Sequence, residues 1–147
     1  MNPWFDLVDQ LKNREQRLDI LRRIADWQLG APENRDHRLP QERVDALIWG
    51  LEHPNAAVRR CCLEVLDQHP DDRAIPQIVR CLDDAIPRVR WHAAHALICD
   101  VCKPGASHVG ADVLERIRWL TRGEDGAKVK IHQRMHDLRH YRRRTTS

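Results

Sequence analysis

Between residues 44 and 120 the same apolar stripe is written three times. It reads Val44, Leu47, Ile48, Leu51, then Ile75, Ile78, Val79, Leu82, then Val113, Ile117, Leu120. Positions i, i+3, i+4 and i+7 fall on one face of a helix; the third copy places Arg116 at its i+3 position. Each stripe leads through a turn to Val-Arg or Val-Lys, at Val58-Arg59, Val89-Arg90 and Val129-Lys130. No other feature constrains the fold as tightly. A helix with one apolar face must bury it, and a helix pair repeated along a chain buries it against its own neighbours.

The second member of each pair has its own stripe. Val58, Cys61, Cys62, Val65 and Leu66 form one, and Val89, Ala93, Ala96 and Leu97 form its counterpart. The third is looser, with Ile131, Met135 and Leu138 in a register slipped from Val129. The first two units lie 31 residues apart and the next step is 38. The seven additional residues fall at Lys103 to Val109, where Pro104 and Gly105 mark a loop. Pro40 and Pro76 stand near helix starts, Asp72 and Asp112 suit N-cap positions, and Pro54 and Pro87 punctuate the turns within pairs. Ahead of the repeats, Leu7, Leu11, Leu18, Leu21 and Ala25 share one side of a helical region that ends before Gly30-Ala31-Pro32. The polar interval from Lys12 to Arg17 leaves open one long helix or two short ones.

Two segments, Leu51-Glu-His-Pro-Asn-Ala-Ala-Val-Arg-Arg60 and Leu82-Asp-Asp-Ala-Ile-Pro-Arg-Val-Arg90, combine a turn proline with Val-Arg opening the second helix. This pattern resembles the HEAT-repeat family, in the short form associated with phycobilin lyases, over about residues 41–140. The resemblance implies an all-α fold, a right-handed α-solenoid of about three HEAT-like helix pairs with an N-terminal helical cap. The expected organisation is a cap over residues 1–29, a polar linker over 30–39, and repeats at 40–69, 72–102 and 111–144, together forming one compact domain. The family contains scaffolds, adaptors, nucleic-acid binders and a few enzymes, so the motif speaks for fold and not for function.

Charge and cysteine content narrow the setting. The net charge is +3, yet residues 1–40 sum to 0, residues 41–121 to −2 and residues 122–147 to +5. The whole excess therefore lies in the last stretch. The five cysteines are odd in number, and Cys61 and Cys62 adjoin within one helix, which suits reduced thiols better than a disulfide framework. No apolar run approaches the roughly 18 residues of a membrane span, and the N-terminus lacks the features of a signal peptide. A cytoplasmic location is expected.

Three groups of residues invite a chemical reading. On the helix Trp91–Cys102, a turn of about 100° per residue brings His92, His95, Cys99 and Cys102 onto one side. His95, Cys99 and Cys102, with His108 from the loop beyond, offer the thiolate and imidazole ligands of a tetrahedral zinc site. The same helix is apolar almost all round, so these side chains also read as ordinary core residues. His132, His136 and His140 share a face at i, i+4 and i+8, but the surrounding bases oppose a bound cation, and a solvated polar face fits them. Lys128, Lys130, Arg134, Arg139, Arg142 and Arg143 form a basic stretch that could meet phosphates; a charged terminal cap is the plain reading. Its single aromatic, Tyr141, does not make a stacking platform for single strands.

Nucleophilic catalysis finds no support, because Ser107 and Ser147 lack any Gly-x-Ser-x-Gly context. The His-Glu pairs of HEAT-fold deoxyhypusine hydroxylases have only Glu52-His53 as a counterpart, once and in reverse order. The expected function is therefore a non-enzymatic scaffold that mediates protein–protein interaction across the surface of its second helices. Arg59, Arg60, Glu64, Asp67, Arg88 and Arg90 are the expected partner-binding residues. The alternatives are a nucleic-acid-binding protein using the basic C-terminal helix, and a zinc-binding accessory protein.

Overall fold

The computed structural model describes residues 2–25, 39–98 and 110–122. Within them every regular element is helical: α1 (Trp4–Gln10), α2 (Arg17–Ala25), α3 (Gln41–Gly50), α4 (Ala56–Gln68), α5 (Ile75–Cys81), α6 (Pro87–Ile98) and α7 (Ala111–Arg122), with a single 3-10 turn at Asp72–Ala74. The N-terminal region is thus two helices. Leu11 closes α1, and the chain turns through the polar interval before Arg17, whose Nε donates to the Leu11 carbonyl at 2.9 Å.

That turn corrects one expectation. An unbroken helix would place Leu18 on the inward side, but the break resets the helical phase. Ile20, Leu21, Ile24 and Ala25 face the core, and Leu18 is 53% exposed. Two cap assignments change as well. The 3-10 turn is capped by Asp71, whose carboxylate accepts from the Arg73 N–H at 3.0 Å, one residue before the expected Asp72. Asp112 lies inside the first turn of α7, where its negative charge complements the positive end of the helix dipole.

Elsewhere the local chemistry follows the sequence. Asn55 caps α4, its Oδ1 accepting from Ala57 N at 2.9 Å and Val58 N at 3.4 Å. Pro76 sits in the first turn of α5, where its missing N–H is harmless. Most of the expected stripe positions form the core: Val44, Leu47 and Leu51, then Val58, Cys61, Cys62, Val65 and Leu66, then Ile78 and Leu82, then Val89, Ala93, Ala96 and Leu97, and finally Ile117 are all buried, while Ile48, Ile75, Val79 and Val113 are partly buried against them and the Leu120 side chain lies outside the described residues. They belong to one apolar cluster that runs from Val8 in α1 to Ile117 in α7.

The helices pack in pairs and the pairs stack. α3 packs on α4 and α5 on α6 within pairs; α4 packs on α6 between them. α1 and α2 form an antecedent pair, α1 lying against α3 and α2 against α4. The cap therefore extends the stack in kind, first helix on first helix and second on second. Exposed ion pairs follow the first-helix side from unit to unit, Arg73–Asp45 at 3.3 Å, Arg80–Glu52 at 3.1 Å, and Arg116 with Asp83. Exposed pairs of this type add little stability; their regular placement reports the register between units.

Gly50 marks a close approach between helices. A Cβ there would lie 2.7 Å from Val8 Cγ1 and closer still to the Cys62 sulfur. Alanine in a helix is normally favoured over glycine by about 1 kcal/mol. Overpacking of a filled core costs about 1–3 kcal/mol, so Gly50→Ala is expected to lower the urea midpoint. Adding Cys62→Ala removes the sulfur that the methyl group meets and is expected to recover part of the loss.

Candidate interaction surface

The six residues expected to contact a partner lie on α4 and α6, and the structure gives most of them an intramolecular task. Arg59 grips Asp84 with both arms, Nε to Oδ2 at 2.7 Å and Nη2 to Oδ1 at 3.0 Å. Its Nη1 also donates to the carbonyls of His53 at 2.8 Å and Pro54 at 3.0 Å. Asp84 in turn accepts from the Ile86 N–H at 2.9 Å. One guanidinium thus ties the turn of its own pair to the turn of the next.

Arg90 repeats half of this arrangement. Its Nη1 donates to the Asp84 carbonyl at 2.7 Å, six residues back, as Arg59 does to His53. The recurrent Val-Arg therefore has a local physical role: the valine enters the core and the arginine satisfies carbonyls of the turn that precedes it. Arg59 retains 15% exposure and Asp84 10%. These arginines frame the surface more than they decorate it.

Along the α4/α6 seam the acids of α4 meet cations and imidazoles. Arg60 Nη1 and His92 Nε2 each approach Glu64 Oε1 at 3.6 Å, and His95 Nδ1 lies 3.1 Å from Asp67 Oδ1. His92 and His95 are both buried. Arg88, in contrast, is exposed in the first turn of α6. Of the six, it is the side chain that extends most plainly into solvent.

Of the four proposed zinc ligands only His95 belongs to the described residues; Cys99, Cys102 and His108 lie outside them, as do Lys128, Lys130, Arg134, Arg139, Arg142 and Arg143. Among the described residues no group of three or more His, Cys, Asp or Glu side chains could hold a metal ion. The Asp67 carboxylate against His95 Nδ1 fixes the ring, an arrangement also found behind metal-bound histidines.

The thiols that are described are buried. Cys61 and Cys81 are pushed up to about 11 chiefly by desolvation, and burial likewise holds Cys62, fully enclosed, well above the ordinary thiol value. Only the thiolate reacts readily. Cys61, Cys62 and Cys81 are accordingly expected to resist iodoacetamide at pH 8 in the native protein and to label in urea, as read by peptide mass spectrometry.

A second cluster lies on the first-helix side. His53 Nε2 is 2.8 Å from Asp9 Oδ1, while His53 Nδ1 accepts from the Asn55 N–H at 3.0 Å. The ring is wedged beside Trp49, which also contacts Phe5. Asp9 is held below the usual carboxylate value by its hydrogen bonds, first to Lys12 and then to His53. His53 is therefore a structural tie between α1 and the α3–α4 turn, and Trp49, 43% exposed, caps it from outside. Nothing in the spacing of the sequence marks Leu18, Arg22 and Arg23 of α2 as surface candidates; only the break after α1 brings Leu18 outward.

The stacked helix pairs, second helix against second helix and turn tied to turn by an arginine, define the chain as an α-helical repeat protein. It belongs to the HEAT-repeat family: the family model for HEAT repeats matches residues 44–122, more than half of the chain. Comparisons with curated proteins and with solved structures return no match. Among the described residues no helix is long and apolar enough to cross a membrane.

Proposed function

We propose that the protein is a non-enzymatic interaction scaffold, a right-handed solenoid of about three HEAT-like pairs capped by α1–α2, which binds a protein partner in the cytoplasm. The observation that carries this reading is the unbroken row of second helices, α2 against α4 and α4 against α6, built on turns braced by Arg59 and Arg90. HEAT repeats typically serve as interaction scaffolds, and a braced row of helices is a preorganised surface that loses little freedom on binding. Arg60, Glu64, Asp67 and Arg88 supply its charge pattern, and Arg59 and Arg90 hold it in shape.

The test is affinity capture from the native cell with wild-type bait and with Arg88→Glu bait. Loss of the captured partner with the variant supports contact through this surface; equal recovery places the contact elsewhere. A second reading is favoured by the +5 excess over residues 122–147, which suits nucleic acid. In a gel shift at graded salt, retention of duplex DNA or RNA that falls steeply with salt and disappears in an Arg142→Glu/Arg143→Glu variant would replace the scaffold reading. A zinc accessory role remains a third proposal, with His95 oriented by Asp67. Stoichiometric zinc lost on Cys99→Ala would support it.

A further inference from the structure

We propose that the second-helix surface takes an acidic peptide segment bearing an apolar side chain, with Leu18 as the apolar contact and Arg22, Arg23, Arg60 and Arg88 as the charged contacts. The inference deepens the scaffold reading and rests on it. Within α2, α4 and α6 there are seven arginines and three acids, Asp19, Glu64 and Asp67. Each of those acids already faces a cation or an imidazole: Asp19 faces Arg22 at 3.9 Å, Glu64 faces Arg60 and His92, and Asp67 faces His95. Three of the arginines are occupied by the frame, Arg17 on the Leu11 carbonyl and Arg59 and Arg90 on their turns. Arg23 and Arg88 are exposed, and no ion pair holds either of them among the described residues. The exposed charges of this row that no ion pair engages are thus positive.

Leu18 decides between classes of polyanion. A single exposed leucine is ordinary, but this one lies one helical turn before Arg22 on the exposed side of α2. An apolar contact beside a cation suits the side chains of an acidic amphipathic segment; a phosphodiester backbone has nothing to place on it. Complementary charge of this kind mainly governs association rate and partner choice, so binding should weaken with salt without vanishing, because the Leu18 contact is not screened.

The experiment uses the full chain and fluorescence anisotropy. The probes are a labelled synthetic peptide with leucines at helical spacing among glutamates, the same peptide with lysines for glutamates, and duplex DNA. The glutamate peptide is expected to bind. Arg23→Glu/Arg88→Glu is expected to weaken it by about tenfold or more, equivalent to about 1.4 kcal/mol, and Leu18→Ser by several-fold. All three positions are exposed, and circular dichroism checks that the variants keep their helices. Preference for the lysine peptide overturns the proposal and leaves the scaffold reading standing. Preference for DNA overturns both, and failure of the glutamate peptide to bind overturns the proposal. The proposal also falls if binding survives Arg23→Glu/Arg88→Glu but is lost in Arg142→Glu/Arg143→Glu.

Discussion

Leu82→Ala is expected to destabilise the protein by about 2–5 kcal/mol, the range for truncating a buried leucine where the surroundings collapse only in part. Leu82 closes α5, is 1% exposed, and belongs to the apolar cluster that joins successive units. In a stack each unit is stabilised chiefly by its neighbours. A cavity at the end of α5 therefore weakens both the α5–α6 pair and the seat of that pair on α4. Urea unfolding followed by tryptophan fluorescence measures the loss, and a shallower transition would show that the stack has begun to open unit by unit. Leu18→Ala is the control. With that side chain 53% exposed, the change should stay within about 0.5 kcal/mol. Equal effects at the two positions would contradict the phase of α2 and the burial of α5.

Arg59→Ala is expected to cost about 3 kcal/mol. Removing one partner of a largely enclosed ion pair leaves the other charge desolvated, with losses of about 3–5 kcal/mol for full burial. The residual exposure of Arg59 and Asp84, 15% and 10%, puts this pair toward the lower end. The substitution also strands the carbonyls of His53 and Pro54. A double-mutant cycle with Asp84→Asn measures the coupling. Arg59→Lys separates charge from shape, since an ammonium cannot reproduce the forked contact and should recover only part of the loss. The consequence for binding studies is direct. A partner lost on Arg59→Ala would report a loosened turn, whereas one lost on Arg88→Glu would report the surface itself.

Much of the fold was legible because its physical basis is periodic. Burial of one face requires apolar side chains at i, i+3, i+4 and i+7, and that demand is written wherever a helix packs. Val44, Leu47, Val58, Cys62, Ile78 and Val89 all fell where the stripes put them. The recurrence of Val-Arg was equally plain, but its meaning was not. In a linear chain Arg59 reads as a polar residue at a surface position. Only the return of the turn to within hydrogen-bond reach, and the arrival of Asp84 from the following unit, make it a brace.

Spacing along one helix placed His95 beside Cys99 and Cys102, but spacing says nothing of what faces that helix from outside. The structure brings Asp67 of α4 to His95 Nδ1. A neighbouring helix, remote in sequence, thus determines which ring nitrogen of His95 is engaged.

By itself, then, the sequence determined the helical class, the pairing of helices and the family, since these depend on local periodicity and on turns set by a few residues. The tertiary structure decided that the N-terminal region is a further pair, that Leu18 faces outward, and that Arg59 and Arg90 hold turns while Arg88 is open. The physical reason is one of range. Helical phase is fixed by the residues within a turn or two, whereas the partner of a charge is fixed by whatever the stack brings beside it, 25 residues along the chain for Arg59 and Asp84.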